Sequence, residues 1–163
     1  MKNRKGFSLI ELLIVVAIIL IIAAIAIPNF LKAKMSANES AAVSSIRTIN
    51  TAELSYLNSY PTSGYANLAA LGSGGVQPCV ASSDTACLID DTLATATSIP
   101  GKSGYVYSGD GAINTYFAAA KPTVQNVTGI RSFCSFEDAT VRVQSTGGAI
   151  ASKAACKVLP GMN

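Results

Sequence analysis

The sequence predicts an α+β protein in which one long N-terminal helix packs on a small antiparallel β-sheet of three to four strands. Three observations lead to this fold class. Residues 7–30 are almost continuously apolar, residues 31–60 combine good helix formers with apolar side chains at three- and four-residue steps, and residues 105–145 alternate apolar and polar side chains between turn signals. The 163 residues suffice for this helix and one small domain.

The charge of the chain is concentrated at its N-terminus. Residues 1–6, MKNRKG, contain three of the 12 Lys and Arg residues, and the other nine bases are matched by nine acids. A neutral body argues against nucleic-acid binding, which requires clustered bases to replace phosphate counterions. Bases beside an apolar span instead hold that end of the span on the cytoplasmic side of a membrane, so the residues after the span are expected outside.

The first half of the helix, residues 7–30, is long enough to cross a membrane. From Phe7 to Ile27 no base occurs, and an α-helix of this length spans roughly the 30 Å of a bilayer core. A single acid, Glu11, interrupts the apolar run. An acid at the bilayer centre costs about 2.5–3.5 kcal/mol, and near the end of the span it costs less.

The stretch KGFSLIELLIVVAIILIIAAIAIP resembles the N-terminus of type IV pilins and of the pseudopilins of type II secretion. The resemblance implies a leader of residues 1–6, which a prepilin peptidase removes between Gly6 and Phe7, and methylation of the new N-terminal Phe7. It implies that Glu11 is required for assembly. Softer similarity to longer pilins extends over INTAELSYLNSYPTSGYANLAAL and GIRSFCSFEDATVRV, and the fold expected is the pilin fold.

The function that the resemblance implies is that of the major structural subunit of a type IV pilus. The chain would wait in the bacterial inner membrane, and assembly machinery would then add it to a helical homopolymer, an extracellular fibre for twitching motility, adhesion or DNA uptake. One alternative is a type II secretion pseudopilin. Another is an ordinary single-span membrane protein with an exported binding domain.

The residues themselves offer a reason for Glu11. A buried carboxylate is tolerated beside an opposite charge, and the Phe7 amine freed by cleavage is the nearest cation in an apolar assembly. The positive end of the helix dipole also favours an anion in the first turns. In the alternative interpretation, Glu11 lies at the level of the lipid headgroups.

The globular domain is predicted to comprise residues 31–163, with a helix over 31–60. Pro28 removes a backbone donor, which predicts a kink near residues 24–28, and Pro61 ends the helix. The apolar residues expected to face the core of this amphipathic helix are Val43, Ile46, Ile49, Leu54, Leu57 and Tyr60.

Residues 61–104 are rich in Gly, Ser and Thr, which predicts loops with a short helical turn over 65–71. Asp84, Asp90 and Asp91 match no calcium-loop spacing, so we interpret them as solvated acids rather than a metal site. The alternating region predicts strands at 105–108, 113–120, 131–136 and 139–145. Asp110-Gly111 is a hairpin-turn signal between the first two strands, and Arg131 and Arg142 are expected to point outward.

Four cysteines occur without any His and without C-x-x-C spacing, which favours disulfides in an oxidising compartment over zinc ligands. Three connectivities exist for Cys79, Cys87, Cys134 and Cys156. We prefer Cys79–Cys87 and Cys134–Cys156, because each bond would close a local loop in a weakly constrained region, and the second bond would tie the C-terminal loop of residues 146–163 to the sheet. Free buried thiols are the alternative.

No catalytic site is apparent in the sequence. Without His or a G-x-S-x-G elbow, the chain offers no arrangement of nucleophile, base and orienting group, so we expect a protein that is not an enzyme and has no cofactor. The neighbouring acids Glu137 and Asp138 would point to different sides of the chain.

Overall fold

A computed structural model describes residues 7–162 of the chain. The α+β class is confirmed by one long helix and a four-stranded antiparallel sheet. The elements in chain order are α1 (Leu9–Ser59), α2 (Asp91–Ala94), β1 (Tyr105–Ala112), β2 (Thr115–Pro122), β3 (Ser132–Phe136), β4 (Arg142–Gln144) and α3 (Lys153–Lys157). The chain divides into two compact units, Met1–Lys34 and Met35–Asn163. We call the described part of the second unit the head.

The sheet of the head has the strand order β1-β2-β3-β4, with every neighbouring pair antiparallel. In the first hairpin, Tyr105 lies opposite Pro122 and Ala112 lies opposite Thr115, so the turn consists of Ile113 and Asn114. The prediction of a turn at Asp110-Gly111 is therefore wrong by three residues, because these two residues lie inside β1.

A segment that we call the strap, residues 64–71, explains why β1 contains glycine. The strap runs along the free edge of β1, where the Tyr65 amide donates to the Ala112 carbonyl over 2.9 Å and the Leu68 amide donates to the Gly109 carbonyl over 3.1 Å. A Cβ atom at Gly111 would lie 2.1 Å from the Ala66 carbonyl oxygen. Gly111 is thus needed for close backbone approach rather than for a turn.

The main core lies between the second part of α1 and one face of the sheet. On the strands, the large buried side chains are aromatic, whereas α1 contributes mostly aliphatic ones. The core includes Ala42, Val43, Ile46, Ile49, Ala52 and Tyr56 of α1 with Tyr105, Tyr107, Tyr116 and Phe133 of the sheet.

The face of α1 that is buried differs in part from the predicted one. Val43, Ile46 and Ile49 are buried as expected, but Leu54 is 45% exposed and Glu53 beside it is 1% exposed. Successive helical residues are separated by about 100°, so only one of these two neighbours can face the core. The buried Glu53 accepts a hydrogen bond from the Ala66 amide of the strap, and the spacing of apolar residues does not reveal such a partner.

Asn50 is a polar anchor between α1 and the sheet. Its amide nitrogen donates to the Ser135 hydroxyl over 2.9 Å and to the Ala139 carbonyl over 3.1 Å. Its amide oxygen accepts a hydrogen bond from the Tyr116 hydroxyl at 3.0 Å. Because buried polar groups are costly without partners, this network fixes how α1 lies along the sheet.

The region 61–104 differs from its prediction in two respects. Residues 65–71 form turns along β1 rather than a helical turn, and a short helix, α2, occurs at Asp91–Ala94. The three aspartates do not converge. Asp90 forms an ion pair with Lys102 at 2.9 Å, and Asp91 accepts hydrogen bonds from the Ser73 amide and hydroxyl.

Two disulfides occur in the head, Cys79–Cys87 and Cys134–Cys156, which are the two local pairings preferred above. Cys134–Cys156 joins β3 to α3 and lies in a second, smaller core with Phe136 and Ile150.

Arg131 and Arg142 were predicted to point outward, and neither extends freely into solvent, because the Arg131 guanidinium pairs with Glu39 of α1 and Arg142 lies against the sheet. The Arg131 side chain is 45% exposed, but that of Arg142 is 16% exposed. Arg142 lies over the ring of Phe136, with its guanidinium carbon 4.3 Å from the ring centre, and it pairs with Asp138. The cation-π contact and the ion pair together hold Arg142 against the sheet.

Candidate functional site

The described part of the first unit presents an uncovered apolar surface. Each large apolar side chain from Phe7 to Leu31 is between 46 and 89% exposed. Helix α1 is long and apolar enough there to cross a membrane, with a mean hydropathy of 3.3 over its most apolar window. Such a surface in water is strongly unfavourable, so it needs lipid or another protein surface.

Helix α1 begins with one of the two hydrogen bonds of a capping box, the one that the Glu11 side chain accepts. Ser8 directly precedes the first helical residue, Leu9, and the Ser8 amide donates to Oε2 of Glu11 over 3.0 Å. The Ser-x-x-Glu spacing is the sequence signature of this motif, so it could have been recognised in the sequence, and our sequence analysis missed it. Glu11 thus satisfies one of the free amides at the helix start and lies where the helix dipole favours an anion.

Glu11 is chemically isolated within its unit. Among the described residues 7–34, the only bases are Lys32 and Lys34, at the other end of the segment. At about 1.5 Å per residue, Lys32 lies roughly 30 Å along the helix from Glu11. The Glu11 carboxylate therefore accepts a hydrogen bond from the Ser8 amide. No base among residues 7–34 lies close enough to form an ion pair with it.

Helix α1 continues through Pro28. Proline lacks the amide hydrogen that would bond to the Ala24 carbonyl, and the Asn29 side chain donates to the next carbonyl, that of Ile25, over 3.1 Å. The predicted kink at Pro28 stays a prediction. Gly6 and the rest of the predicted leader lie outside the described residues.

The neighbouring acids Glu137 and Asp138 each form an ion pair within the head. Glu137 pairs with Lys153 and Asp138 pairs with Arg142, so the two neighbours do point to different partners. The hydrogen bond from Arg142 lowers the pKa of Asp138 against a smaller opposing effect of burial. In residues 7–162, no group of three or more His, Cys, Asp and Glu side chains is arranged to hold a metal ion.

Comparison with known proteins shows what the apolar N-terminal segment is similar to. The family model described as the prokaryotic N-terminal methylation motif matches residues 1–27. The type IV major pilin protein PilA of Myxococcus xanthus is 50% identical over 56 residues, which cover 34% of this chain and 26% of the relative. The chain is thus similar to type IV pilins over about a third of its length or less, and the family model matches its N-terminal segment.

Two further relatives have similarly short matches to this chain. The type IV wide pilus major component PilA4 of Thermus thermophilus is 64% identical over 39 residues, covering 24% of this chain and 30% of the relative. A fimbrial protein of Pseudomonas aeruginosa is 52% identical over 52 residues, covering 32% and 34%. The chain thus spans about a third or less of the length of these relatives. No solved structure matches the chain.

Proposed function

We propose that this chain is a type IV pilin, the major structural subunit of a type IV pilus, and is not an enzyme. The observation that carries the proposal is the uncovered apolar surface of residues 7–31 with its single acid. In lipid this surface is solvated, and in a filament other copies cover it, at roughly 25 cal/mol per Å² of apolar surface removed from water. The named major pilins among the relatives favour a pilus subunit over a pseudopilin.

In this proposal the subunit passes through two environments. It begins in the bacterial inner membrane with residues 7–30 in lipid, and prepilin peptidase removes residues 1–6 by cutting between Gly6 and Phe7. Phe7 is then methylated, and the assembly machinery transfers the subunit to an extracellular homopolymer that serves motility, adhesion or DNA uptake. A loosening of α1 at Pro28 would let the packed helices adapt to one another.

Glu11 has two roles in the proposal. Within one subunit it caps the helix start through the Ser8 amide. In the filament its charge pairs with the amine of Phe7 of a neighbouring subunit, because an unpaired carboxylate in an apolar core is strongly unfavourable. A subunit added in the wrong axial register would leave that charge unpaired, so the pair selects the register.

The two roles are separated by the substitution Glu11→Gln. The glutamine side-chain oxygen still accepts a hydrogen bond from the Ser8 amide, but it carries no charge. We expect Glu11→Gln to insert into the membrane and to be cleaved before Phe7, and to form few or no filaments. Mass spectrometry of the N-terminus and electron microscopy of sheared filaments measure the two outcomes.

The matched control is Ser8→Ala, which keeps the backbone amide and the charge of Glu11 and is expected to assemble. Normal filaments from Glu11→Gln would leave only the cap as the role of Glu11. A mature protein that keeps Met1 or has an unmethylated Phe7 would favour an ordinary single-span protein instead.

A further inference from the structure

The strap over β1 is attached to α1 by one buried carboxyl group. Oε2 of Glu53 accepts a hydrogen bond from the Ala66 amide at 2.9 Å, and the Glu53 side chain is 1% exposed. On its other side, Ala66 lies directly against β1, where Gly111 leaves space for its carbonyl group. Ala66 is therefore held between α1 and the free edge of the sheet.

The surroundings of Glu53 do not favour a charge. Its own helix contributes the neutral Asn50 one turn away, β2 contributes the phenol of Tyr116, and the strap contributes Tyr65 next to Ala66. In residues 7–162, neither Lys nor Arg forms an ion pair with Glu53. Burial raises the pKa of Glu53 from 4.5 to about 7, against the smaller opposing effect of the Ala66 amide.

The strap also supports the small disulfide loop. The Ala86 amide donates to the Ala70 carbonyl over 2.7 Å, and the Leu88 amide donates to the Leu71 carbonyl over 2.8 Å. Movement of the strap would thus move residues 86–88, including Cys87 of the Cys79–Cys87 bond. It would also uncover the carbonyl groups of Gly109 and Ala112 at the edge of β1, which is a site for unwanted strand pairing.

We infer that the strap is a proton-controlled clasp: protonated Glu53 holds residues 64–71 on the edge of β1, and loss of that proton favours opening of the strap. Opening admits water to the Glu53 carboxylate. In the closed strap the carboxylate is buried from water, and no cation in residues 7–162 forms an ion pair that would balance its charge. The proposal concerns the head alone and does not depend on assembly into a filament.

The direction and the range of the pH effect follow from the two states of Glu53. In the open strap the carboxyl group is hydrated and has its ordinary pKa of 4.5, whereas in the closed strap its pKa is about 7. The open state therefore gains relative to the closed state as the pH rises between these two values. The opening equilibrium should increase by about tenfold per pH unit in this range, roughly two orders of magnitude in total, and level off above pH 7.

Hydrogen exchange tests this inference on the chain in detergent micelles. We would measure the exchange of the Tyr65, Ala66 and Leu68 amides from pH 4.5 to 8.5 and correct each rate for the intrinsic pH dependence of exchange. The corrected rates should rise up to about pH 7 and then become constant. In Glu53→Gln, which keeps a hydrogen-bond acceptor but cannot ionise, they should not depend on pH.

The head contains an internal control. Glu39 is also buried on α1, but it accepts hydrogen bonds from the Ile130 and Arg131 amides and forms an ion pair with the Arg131 guanidinium at 2.7 Å. Burial alone would raise the pKa of Glu39, yet these hydrogen bonds outweigh it and lower the pKa below 4.5. Corrected exchange of the Ile130 and Arg131 amides should therefore be constant between pH 4.5 and 7.

Two results would overturn the inference. One is corrected strap exchange that does not change between pH 4.5 and 7 in the unaltered chain. The other is an equal pH dependence in Glu53→Gln. If that variant does not fold, carbon-13 NMR of the Glu53 carboxyl group in the unaltered chain decides the question, because a titration midpoint near 4.5 would contradict a closed, unsolvated site.

Discussion

Glu39 and Glu53 are both buried on α1, and their different partners give them opposite properties. Glu39 accepts hydrogen bonds from two backbone amides and from Nε and Nη2 of Arg131. Glu53 accepts a hydrogen bond from one backbone amide, and no cation in residues 7–162 forms an ion pair with it. Glu39 is consequently a stable ion-pair anchor between α1 and residues 130–131, whereas Glu53 is an anchor whose strength changes with pH.

The Arg131 ion pair predicts a loss of stability in Arg131→Ala. The change leaves the Glu39 carboxylate buried with only its backbone donors, so we expect the free energy of unfolding at pH 7 to fall by about 2 kcal/mol. Because the pKa of Glu39 is lowered in the folded head, its contribution is present above pH 4.5 and is lost as the pH falls below this value. The difference between the two proteins should therefore shrink in acid.

Chemical denaturation followed by circular dichroism at pH 7 and at acidic pH measures both effects. Lys121→Ala is the control, since Lys121 is an exposed base that forms no ion pair within the described residues. An equal loss in both variants at pH 7 would show that the Glu39–Arg131 pair has no special contribution.

At the level of elements, hairpin β1–β2 shows how a tertiary contact overrides a local signal. Asp110-Gly111 is a common turn pair, yet the chain turns at Ile113 and Asn114. Moving the turn to Asp110-Gly111 would remove Gly111 from the place where the Ala66 carbonyl approaches β1. The strap therefore contributes to the register of the hairpin.

This close approach predicts that Gly111→Ala is harmful. The new Cβ would meet the Ala66 carbonyl oxygen at 2.1 Å, so the strap must shift, and we expect a cost of about 1–3 kcal/mol in the free energy of unfolding. Gly148→Ala is the matched control, because its Cβ would have its nearest neighbour at 3.7 Å. Comparison of the two unfolding midpoints is the measurement, and equal midpoints would contradict the tight contact.

The sequence was sufficient for the long helix and the sheet, and insufficient for the short helices α2 and α3, the position of the first hairpin turn and the contacts between elements. The apolar run, the Pro61 stop and the two-residue alternation are local patterns, and they correctly predicted α1 and a sheet of three to four strands. Glu39, Asn50 and Glu53 look like ordinary polar positions of an amphipathic helix. Their burial depends on partners in residues 66, 116, 130, 131, 135 and 139, which only the folded chain brings together.

At the scale of the whole molecule, the two units differ in how their apolar surface is covered. Residues 7–34 have no core of their own and remain apolar on the outside. The head, in contrast, is closed: its main core is covered by the strap on the edge of β1, and residues 160–162 pair with the strand segment at Val141–Val143 on the opposite edge. Covered edges keep the sheet of the head from pairing with strands of other chains.

The two disulfides predict different contributions to the stability of the head. Cys134–Cys156 spans 22 residues and is fully buried, whereas Cys79–Cys87 spans 8 residues at the surface. A longer closed loop restricts the unfolded chain more, so the double change of Cys134 and Cys156 to Ser should cost about 3 kcal/mol in unfolding free energy. The corresponding change of Cys79 and Cys87 should cost less, because its loop is shorter and it disturbs no buried cluster.

The same contrast predicts the order of reduction, because a thiol reductant must reach the sulfur atoms. At low concentrations of reductant, Cys79–Cys87 should open first, while Cys134–Cys156 should open only when the head unfolds. Alkylation of the released thiols followed by peptide mass spectrometry measures the order. If Cys134 and Cys156 were alkylated first in the folded protein, the C-terminal segment would have to detach readily from β3, contrary to its packing in the smaller core with Phe136 and Ile150.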